Sequence, residues 1–509
     1  MSRFNLIDEK WIPVRFPGGT HDDLGLRDTL LRSSEIAAIE APSPLVVAAL
    51  YRFLLAVLYR ALKGPTDIDQ AKTLFKEGLS GDKINAYLKK WRDRFWLFDE
   101  KYPFYQLQSY TPKIWQTWPA MTAEHNAKNA KVLFDHVDTS EVGSISSNRA
   151  ALWLIACQTF ALGGGNSDFQ YTKSAPSATA VMALPLGINL HDTLILSLVP
   201  ENRDIFQLDI PIWERDSESL QVLQQGHDRS IVGWVDLYTW RTRSIRFNFN
   251  PRDEEKTVRE MAFASGIGCL SKNHVDPMVS YRIDDKRGKI PIQFRERGLW
   301  RDFDSLLPDE SNLAPLVIEH ATALTRSNRE RFPRSVIVLG QSNKKAKIEY
   351  WRMERFTLPE VLAGERFIRT EIRQLLSEAE DAQKSLWSAS SSYAQDLLSR
   401  GGRKSTKEDI KGFVKQMAVD SYYWSFLESR FHEILREYTF ERDPEDIRCQ
   451  WLKSVRDTLR AAWKQHSASV STGDAWSIRA LVKAEAPVLR KLKELNDEIQ
   501  KLEPRKEDV

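Results

Sequence analysis

Few residue groups in the 509-residue chain combine the types and spacing that catalysis requires. Asp135-His136 is an adjacent carboxylate–imidazole pair, and His274 lies two residues before Asp276. Neither pair has a third member at a recognisable spacing, and an isolated pair is typical of a histidine that a backbone carbonyl satisfies. The chain has no Walker loop, no GxSxG and no HExxH. The residues themselves therefore give no support for an enzyme.

The cysteines and the apolar runs predict a cytoplasmic protein without a metal, another cofactor or a membrane partner. Cys157, Cys269 and Cys449 are far apart, with no CxxC or Cys/His cluster, so we expect neither a metal nor another cofactor. Few cysteines fit a reducing cytosol, and the first residues lack a signal-peptide core, which predicts a cytoplasmic protein. The longest apolar run, Leu45–Leu58, is interrupted by Tyr51-Arg52 and too short to span a bilayer, so no membrane partner is expected.

A run of three glycines, Gly163-Gly164-Gly165, follows an apolar helix predicted over Asn148–Leu162. A helix C-cap in the left-handed conformation needs one glycine. The other two would let backbone N–H groups approach a ligand without interference from side chains. Both interpretations fit the run. Lys272, on a predicted loop, gains significance only if it lies near these glycines.

The segment Arg326–Arg355 concentrates positive charge. It has nine Lys or Arg and three Glu, a net charge of +6 on a chain whose net charge is +3. Contacts of such a patch with phosphates would be strongly salt-dependent. Gly340–Tyr350 reads as a hairpin with its tip at Ser342–Lys345. The amide and cationic groups there can hydrogen-bond base edges or wedge between base pairs, and a plain surface turn fits equally well.

Hydrophobic patterns predict the elements that position these groups. Leu190–Val199, Pro291–Trp300 and Ser335–Gly340 read as strands. Alternating Arg and apolar residues in Trp240–Asn250 predict a half-buried strand with a basic outer face. After Pro359 the pattern becomes helical, and the four predicted helices cover about Val361–Leu398, Thr406–Tyr438, Pro444–Gln465 and Gly473–Leu502.

The predicted fold class is therefore α+β. A large mixed α/β N-terminal domain covers residues 1–358, and a C-terminal antiparallel four-helix bundle covers residues 359–509. Short separators between long helices favour an up-down arrangement of that bundle. Its charge is balanced, with 26 basic and 25 acidic residues from Val361 to Val509, which argues against duplex binding along its whole length.

Several motifs together resemble one family. They are FNLIDEKWIPV from Phe4, LFDH at Leu133–His136, the helix that ends in GGG, GLWRD at Gly298–Asp302 and the terminal helices. In this order the chain resembles the CasA family, the large subunit of Cascade, the type I-E CRISPR surveillance complex. LIDxxWIPV is the most specific single signal.

The resemblance implies a non-catalytic subunit of antiviral defence. Such a subunit docks at the crRNA 5′-handle, recognises the protospacer-adjacent motif (PAM) of double-stranded target DNA through the minor groove, and opens the duplex for R-loop formation. It then recruits the Cas helicase–nuclease. The implied partners are the other Cascade subunits, crRNA, target DNA and that helicase–nuclease. By position, the docking residues are Leu133, Phe134, Asp135 and His136; the PAM and DNA-binding residues are Gly163, Gly164, Gly165, Lys272, Gln341, Asn343, Lys344 and Lys345.

Two departures from the family matter. Some relatives carry a glutamine at the wedge tip, whereas here Gln341 precedes Asn343-Lys344-Lys345. Some relatives also have cysteines near the lysine finger that could hold a metal; this chain has only Cys269 there, so no zinc is expected. Two alternatives stay open, a metal-dependent nuclease with unrecognised carboxylates and an assembly scaffold without DNA readout.

Overall fold

The computed structural model describes residues 4–123, 142–216, 218–249, 256–270, 274–311, 313–344, 347–364, 368–402, 404–470 and 473–503. The chain forms two compact units. Unit 1 comprises Met1–Leu299 and Pro308–Arg355, and unit 2 comprises Trp300–Leu307 and Phe356–Val509. The segment Trp300–Leu307, which the predicted boundary assigns to the N-terminal domain, thus belongs to the C-terminal unit.

Unit 1 mixes helices with small sheets. Its helices are α1 Leu26–Leu31, α2 Pro44–Leu62, α3 Ile68–Glu77, α4 Gly81–Trp91, α5 Ser147–Phe160, α6 Leu190–Ser197, α7 Arg203–Leu208, α8 Leu220–Gln225, α9 Trp234–Tyr238 and α10 Leu316–Thr325. The strands are β1 Ile12–Arg15, β2 His21–Leu24, β3 Ala38–Ile39, β4 Gln116–Thr117, β5 Ile145–Ser146, β6 Met182–Leu186, β7 His227–Arg229, β8 Arg243–Phe247, β9 Thr257–Val258, β10 Glu260–Ser265, β11 Ile267–Cys269, β12 Tyr281–Asp284, β13 Gly288–Pro291, β14 Ser335–Lys344 and β15 Lys347–Thr357.

These strands form several separate sheets rather than one large one. The three-stranded sheets have the orders β2-β1-β3, β4-β10-β8 and β15-β14-β6. Three further pairs are β5-β9, β12-β13 and the parallel pair β11-β7. The β14–β15 hairpin confirms the hairpin predicted over Gly340–Tyr350, although β14 continues through Ser342 to Lys344.

Helix α2 is the centre of unit 1. Ser43 caps it by accepting a hydrogen bond from the N–H of Leu45, Pro44 occupies its first turn, and it ends at Lys63 in the left-handed conformation. Phe53 packs at centroid distances of 5.6–5.8 Å against the rings of Trp11, Phe104 and Trp213. The aromatic residues of the N-terminal motif thus serve the core.

Helix α2 also corrects the expectation that its apolar run is too short to span a bilayer. Within the described ranges, α2 is the one helix that is long and apolar enough to cross a membrane, although 94% of its most apolar window is buried inside the fold.

Helix α2 also carries a buried cation, Arg52. It pairs with Asp276 at 2.6 Å, and the Ser177 hydroxyl donates to the same carboxylate. Burial opposes ionisation, but Arg52 and this hydrogen bond hold the pKa of Asp276 below its usual value. Asp276 is therefore a core ion-pair partner.

Two of the predicted strands are wrong. Leu190–Val199 forms helix α6, which the Asn189 side chain caps by accepting a hydrogen bond from the N–H of Asp192. A short run that is buried on all sides fits a helix as well as a strand, so the pattern could not distinguish them. In Pro291–Trp300, the strand β13 ends at Pro291, and a 3₁₀ helix begins at Leu299.

Unit 2 is helical. Its helices are α11 Arg369–Leu398, α12 Lys407–Met417, α13 Val419–Glu437, α14 Pro444–Ser469, α15 Ala475–Ala484 and α16 Ala486–Leu502. The predicted count of four is not confirmed, because two of the predicted helices are interrupted. Ala418 has a φ of 53°, which separates α12 from α13. Pro487, in the first turn of α16, has no N–H to continue the hydrogen-bond ladder of α15.

Trp300–Asp302, the last three residues of the GLWRD motif, belong to this unit. Trp300 is buried and lies 5.3 Å from the ring of Phe431 and 5.6 Å from that of Trp424. Arg301 stacks over Trp424 at 3.6 Å and donates to Glu380. The motif therefore completes the aromatic core of the helical unit.

Candidate nucleic-acid interface

The triple glycine does not cap helix α5. The helix ends at Phe160, and Ala161 leaves it with extended backbone (φ −58°, ψ 127°). Gly163 follows two residues later and begins a loop that returns to Ala175, whose N–H donates to the Ala161 carbonyl. The glycines therefore shape this loop, and the C-cap interpretation is wrong. We call residues 163–174 the glycine loop.

The N–H groups of the three glycines are used inside the loop. Gly163 donates to the Ser174 hydroxyl at 2.9 Å, Gly164 to the Thr172 carbonyl at 3.2 Å, and Gly165 to the Thr172 hydroxyl at 3.1 Å. The N–H of Thr172 returns a hydrogen bond of 2.8 Å to the Gly165 carbonyl. The expectation that these N–H groups stay available to a ligand is therefore not met, because Thr172 and Ser174 satisfy them.

The three glycines differ in conformation and in the space around them. A Cβ on Gly163 would lie 2.5 Å from the Thr172 carbonyl oxygen, so this position has no room for a side chain. Gly164 has a φ of 123°, which L-residues rarely adopt. Gly165 is exposed, and a Cβ there would meet nothing within 4 Å. The loop thus presents bare backbone to solvent at Gly165.

A buried arginine closes the base of the loop. Arg243, on β8, donates at 2.7 Å to the carbonyls of Leu162 and Lys173, which lie on opposite stems. It is 2% exposed, and burial lowers its pKa to about 10. The predicted basic outer face of this strand is therefore wrong for Arg243 and for Arg241, which is equally buried. Alternation identifies two faces but does not say which one is buried.

The glycine loop also lies beside the strand that leads to Lys272. Lys173 forms an ion pair with Asp228, and Asp228 is the register partner of Gly268 in the parallel pair β7–β11. Strand β11 ends at Cys269. Lys272 lies outside the described residues.

The hairpin is tied to the same end of α5. Gln341 is fully buried, and its side-chain amide donates to the Phe160 carbonyl at 2.7 Å. Gln341 is therefore a packing residue in this structure and is not available to a ligand. Asn343 accepts a hydrogen bond of 2.6 Å from the Thr179 hydroxyl, and Lys344 is exposed at the end of β14. Lys345 lies outside the described residues.

The basic segment Arg326–Arg355 does not act as one patch. Arg331 pairs with Asp192 at 2.6 Å and lies 3.8 Å from the ring of Phe75. Arg352 donates to a backbone carbonyl, and Arg355 donates to the hydroxyl of Ser335. These three cations therefore stabilise the fold, and Lys344 is the exposed cation among the hairpin-end residues that the structure describes.

Two further predictions concern the docking residues and metal binding. Leu133, Phe134, Asp135 and His136 are outside the described residues. Among the residues that the structure does describe, no group of three or more His, Cys, Asp or Glu side chains could hold a metal ion.

Comparisons with known proteins match nearly the whole chain. The family model of CRISPR-associated protein Cse1 matches residues 5–462. The CRISPR-associated protein CasA/Cse1 of Thermus thermophilus is 32% identical, covering 98% of this chain and 99% of its own. The solved structure of Thermus thermophilus CasA superposes with a TM-score of 0.85 and 30% identity, covering 97% of this chain and all of the other. A chain of a solved CRISPR RNA-guided surveillance complex shares the fold, with a TM-score of 0.68, 16% identity and coverage of 96% and 100%.

The shared fold and the match over nearly the whole chain show that the protein is a large subunit of a CRISPR system. The chain belongs to the Cse1 (CasA) family, as the LIDEKWIPV, LFDH and GLWRD motifs predict.

Proposed function

We propose that this chain is the non-catalytic subunit of a type I-E CRISPR surveillance complex that recognises the PAM of double-stranded target DNA. It acts in the cytoplasm, and its partners are the other Cascade subunits and crRNA. The segment Leu133–His136 docks at the crRNA 5′-handle. After the duplex opens, the chain recruits the Cas helicase–nuclease.

One observation carries this proposal. Three elements predicted to touch DNA meet at the C-terminal end of α5. The glycine loop starts there, the hairpin is bonded there through Gln341 and Phe160, and β11, which leads to Lys272, lies beside Lys173 and Asp228. This arrangement supports the proposal that one segment of duplex contacts all three elements.

The loop's contacts favour recognition by shape. The minor groove distinguishes G·C from A·T mainly by the guanine amino group. Because its N–H groups are bonded internally, the loop would detect that bulk with the bare backbone at Gly165 rather than donate to base edges. Such readout tolerates several PAM sequences.

The hairpin would supply the opening step. The base of the hairpin is buried at Gln341, which holds β14 in place. Asn343, Lys344 and Lys345 would then insert between base pairs while β14 stays fixed. The exchange of DNA duplex for guide heteroduplex is nearly balanced, so opening a few pairs is enough to start it.

The test uses Gly165→Asp in the assembled complex. The structure has room for the side chain at this position, whereas a carboxylate there would repel phosphates and fill the groove contact. We expect PAM-dependent affinity for target duplex to fall at least tenfold. Gly412→Asp is the matched control, because it adds the same charge at another open glycine. Equal affinity of the native and Gly165→Asp complexes would contradict the proposal.

A further inference from the structure

A small cavity in unit 1 is lined by arginines and aromatic rings. The arginines are Arg94, Arg215 and Arg241, and the rings are those of Tyr102, Tyr105 and Trp213. Tyr105 has a φ of 56°, a conformation that is rare for bulky residues and is often found at ligand sites. We call this cavity the arginine pocket.

Two donors in the pocket are buried without a hydrogen-bond acceptor in the part of the chain that the structure describes. Arg241 is 2% exposed, and its Nη2 contacts Glu218 while its Nε has no acceptor. Arg215 donates through Nε to the Ile210 carbonyl, but its Nη2 has no acceptor. Buried donors are normally satisfied, so these two atoms indicate that something else accepts from them.

The carboxylate beside Arg215 is already engaged. Asp236 lies 3.2 Å from Nη2 of Arg215, outside hydrogen-bond geometry. Both Asp236 oxygens accept from the guanidinium of Arg229, and the N–H of Val232 donates to one of them. Arg94 lies 3.7 Å from Asp216, and Arg241 contacts Glu218. Four guanidiniums therefore face three carboxylates, which leaves one positive charge in excess beside the cavity.

The size and chemistry of the pocket restrict what can bind. The cavity has a volume of about 30 Å³. This volume exceeds what a single water requires, so there is room for one compact group rather than for a sugar or a base. The unsatisfied donors require an acceptor, and guanidinium groups bind tetrahedral oxyanions through paired hydrogen bonds. Arg94, whose side chain is 20% exposed, lies at the mouth and leaves a route from solvent.

We propose that the arginine pocket binds a phosphate group. Arg215 and Arg241 contact its oxygens from inside, and Arg94 covers it at the mouth. The phosphate is either free inorganic phosphate or the terminal phosphate of a larger molecule. Arg241 also joins the pocket to the candidate interface, because its carbonyl accepts from the N–H of Ile267 on β11.

Thermal unfolding of the full chain in increasing inorganic phosphate tests the proposal, with sodium chloride keeping ionic strength constant. We expect a saturable rise in Tm, because an anion that binds only the folded state stabilises it. A second arm compares a dinucleotide with and without a 5′-phosphate. If only the phosphorylated dinucleotide raises Tm, the pocket takes terminal phosphates; if only inorganic phosphate does, it takes the free ion. If neither raises Tm beyond chloride, the proposal is overturned.

Variants locate the effect. Arg215→Gln should raise the half-saturating phosphate concentration at least tenfold, and Arg94→Gln at least threefold. The control is Arg246→Gln, which removes a charge from β8 outside the pocket. It should change the half-saturating phosphate concentration less than twofold. If Arg215→Gln fails to fold by circular dichroism, Arg94→Gln decides. Unchanged half-saturation in the pocket variants, or an equal change in the control, would overturn the proposal.

Discussion

The glycine loop and the β14–β15 hairpin meet the end of α5 in opposite ways. The loop is held by backbone and buried groups, with Arg243 bonded to both stems and each glycine N–H bonded inside. The hairpin buries its base at Gln341 and leaves Lys344 exposed. The loop therefore contributes a fixed shape, and the hairpin contributes side chains. Substitutions at Arg243 or Gly163 should change the fold, whereas those at Gly165 and at the hairpin end should change only binding.

The largest expected effect is that of Arg243→Met. The substitution leaves the carbonyls of Leu162 and Lys173 without this donor at a buried site, which should lower the free energy of unfolding by about 3 kcal/mol. Denaturant titration of the isolated chain measures the change. Arg246→Met, on the same strand but only partly buried, is the control and should lose less than half as much. Similar losses for both variants would mean that Arg243 does not hold the loop.

The next effect distinguishes the glycines from one another. Gly163→Ala places a Cβ against the Thr172 carbonyl, and such overpacking should lower stability by about 2 kcal/mol. Gly165→Ala has open space and should change stability by less than about 0.5 kcal/mol. Thermal unfolding of the two variants side by side checks the difference, and equal Tm values would contradict these separate roles.

At the base of the hairpin, Gln341→Leu should have a moderate effect. It removes the hydrogen bond to Phe160, but it also removes a buried side-chain oxygen that has no partner within the described residues. These two changes partly offset each other, so we expect a loss of about 1 kcal/mol. A loss above about 3 kcal/mol by denaturant titration would show that the hairpin base supports more of the fold than this bond.

The smallest effect on stability is expected for Lys344→Ala. The side chain is exposed, so the free energy of unfolding should change by less than about 0.5 kcal/mol. If Lys344 contacts a phosphate in the complex, the slope of log affinity against log salt should become shallower by about 0.9. Filter binding of target duplex at several salt concentrations measures the slope, and an unchanged slope would remove Lys344 from the interface.

Local signals predict some of these elements well. Pro44 and the apolar run define α2, and the pattern of Gly340–Tyr350 identifies the hairpin, although its turn begins later than predicted. These features depend on residues close together in sequence, which is why a pattern can identify them.

Other features depend on tertiary contacts and could not be predicted. Whether Arg243 faces inward depends on the loop carbonyls that it meets, and Gln341 is buried because Phe160 lies beside it. Trp300 joins the helical unit through Trp424 and Phe431, more than a hundred residues away in sequence. The hydroxyls of Thr172 and Ser174 were available as a signal, since such side chains commonly satisfy loop N–H groups.

The most direct test of the division between loop and hairpin measures binding and strand opening in the assembled complex, with 2-aminopurine beside the PAM. One variant is Gly165→Asp, and the other combines Asn343→Ala, Lys344→Ala and Lys345→Ala. The account predicts that Gly165→Asp loses PAM-dependent binding even to DNA with a pre-opened bubble. The hairpin variant should keep much of its binding, fail to open intact duplex, and recover on pre-opened DNA. Recovery of both variants on pre-opened DNA, or of neither, would contradict the account.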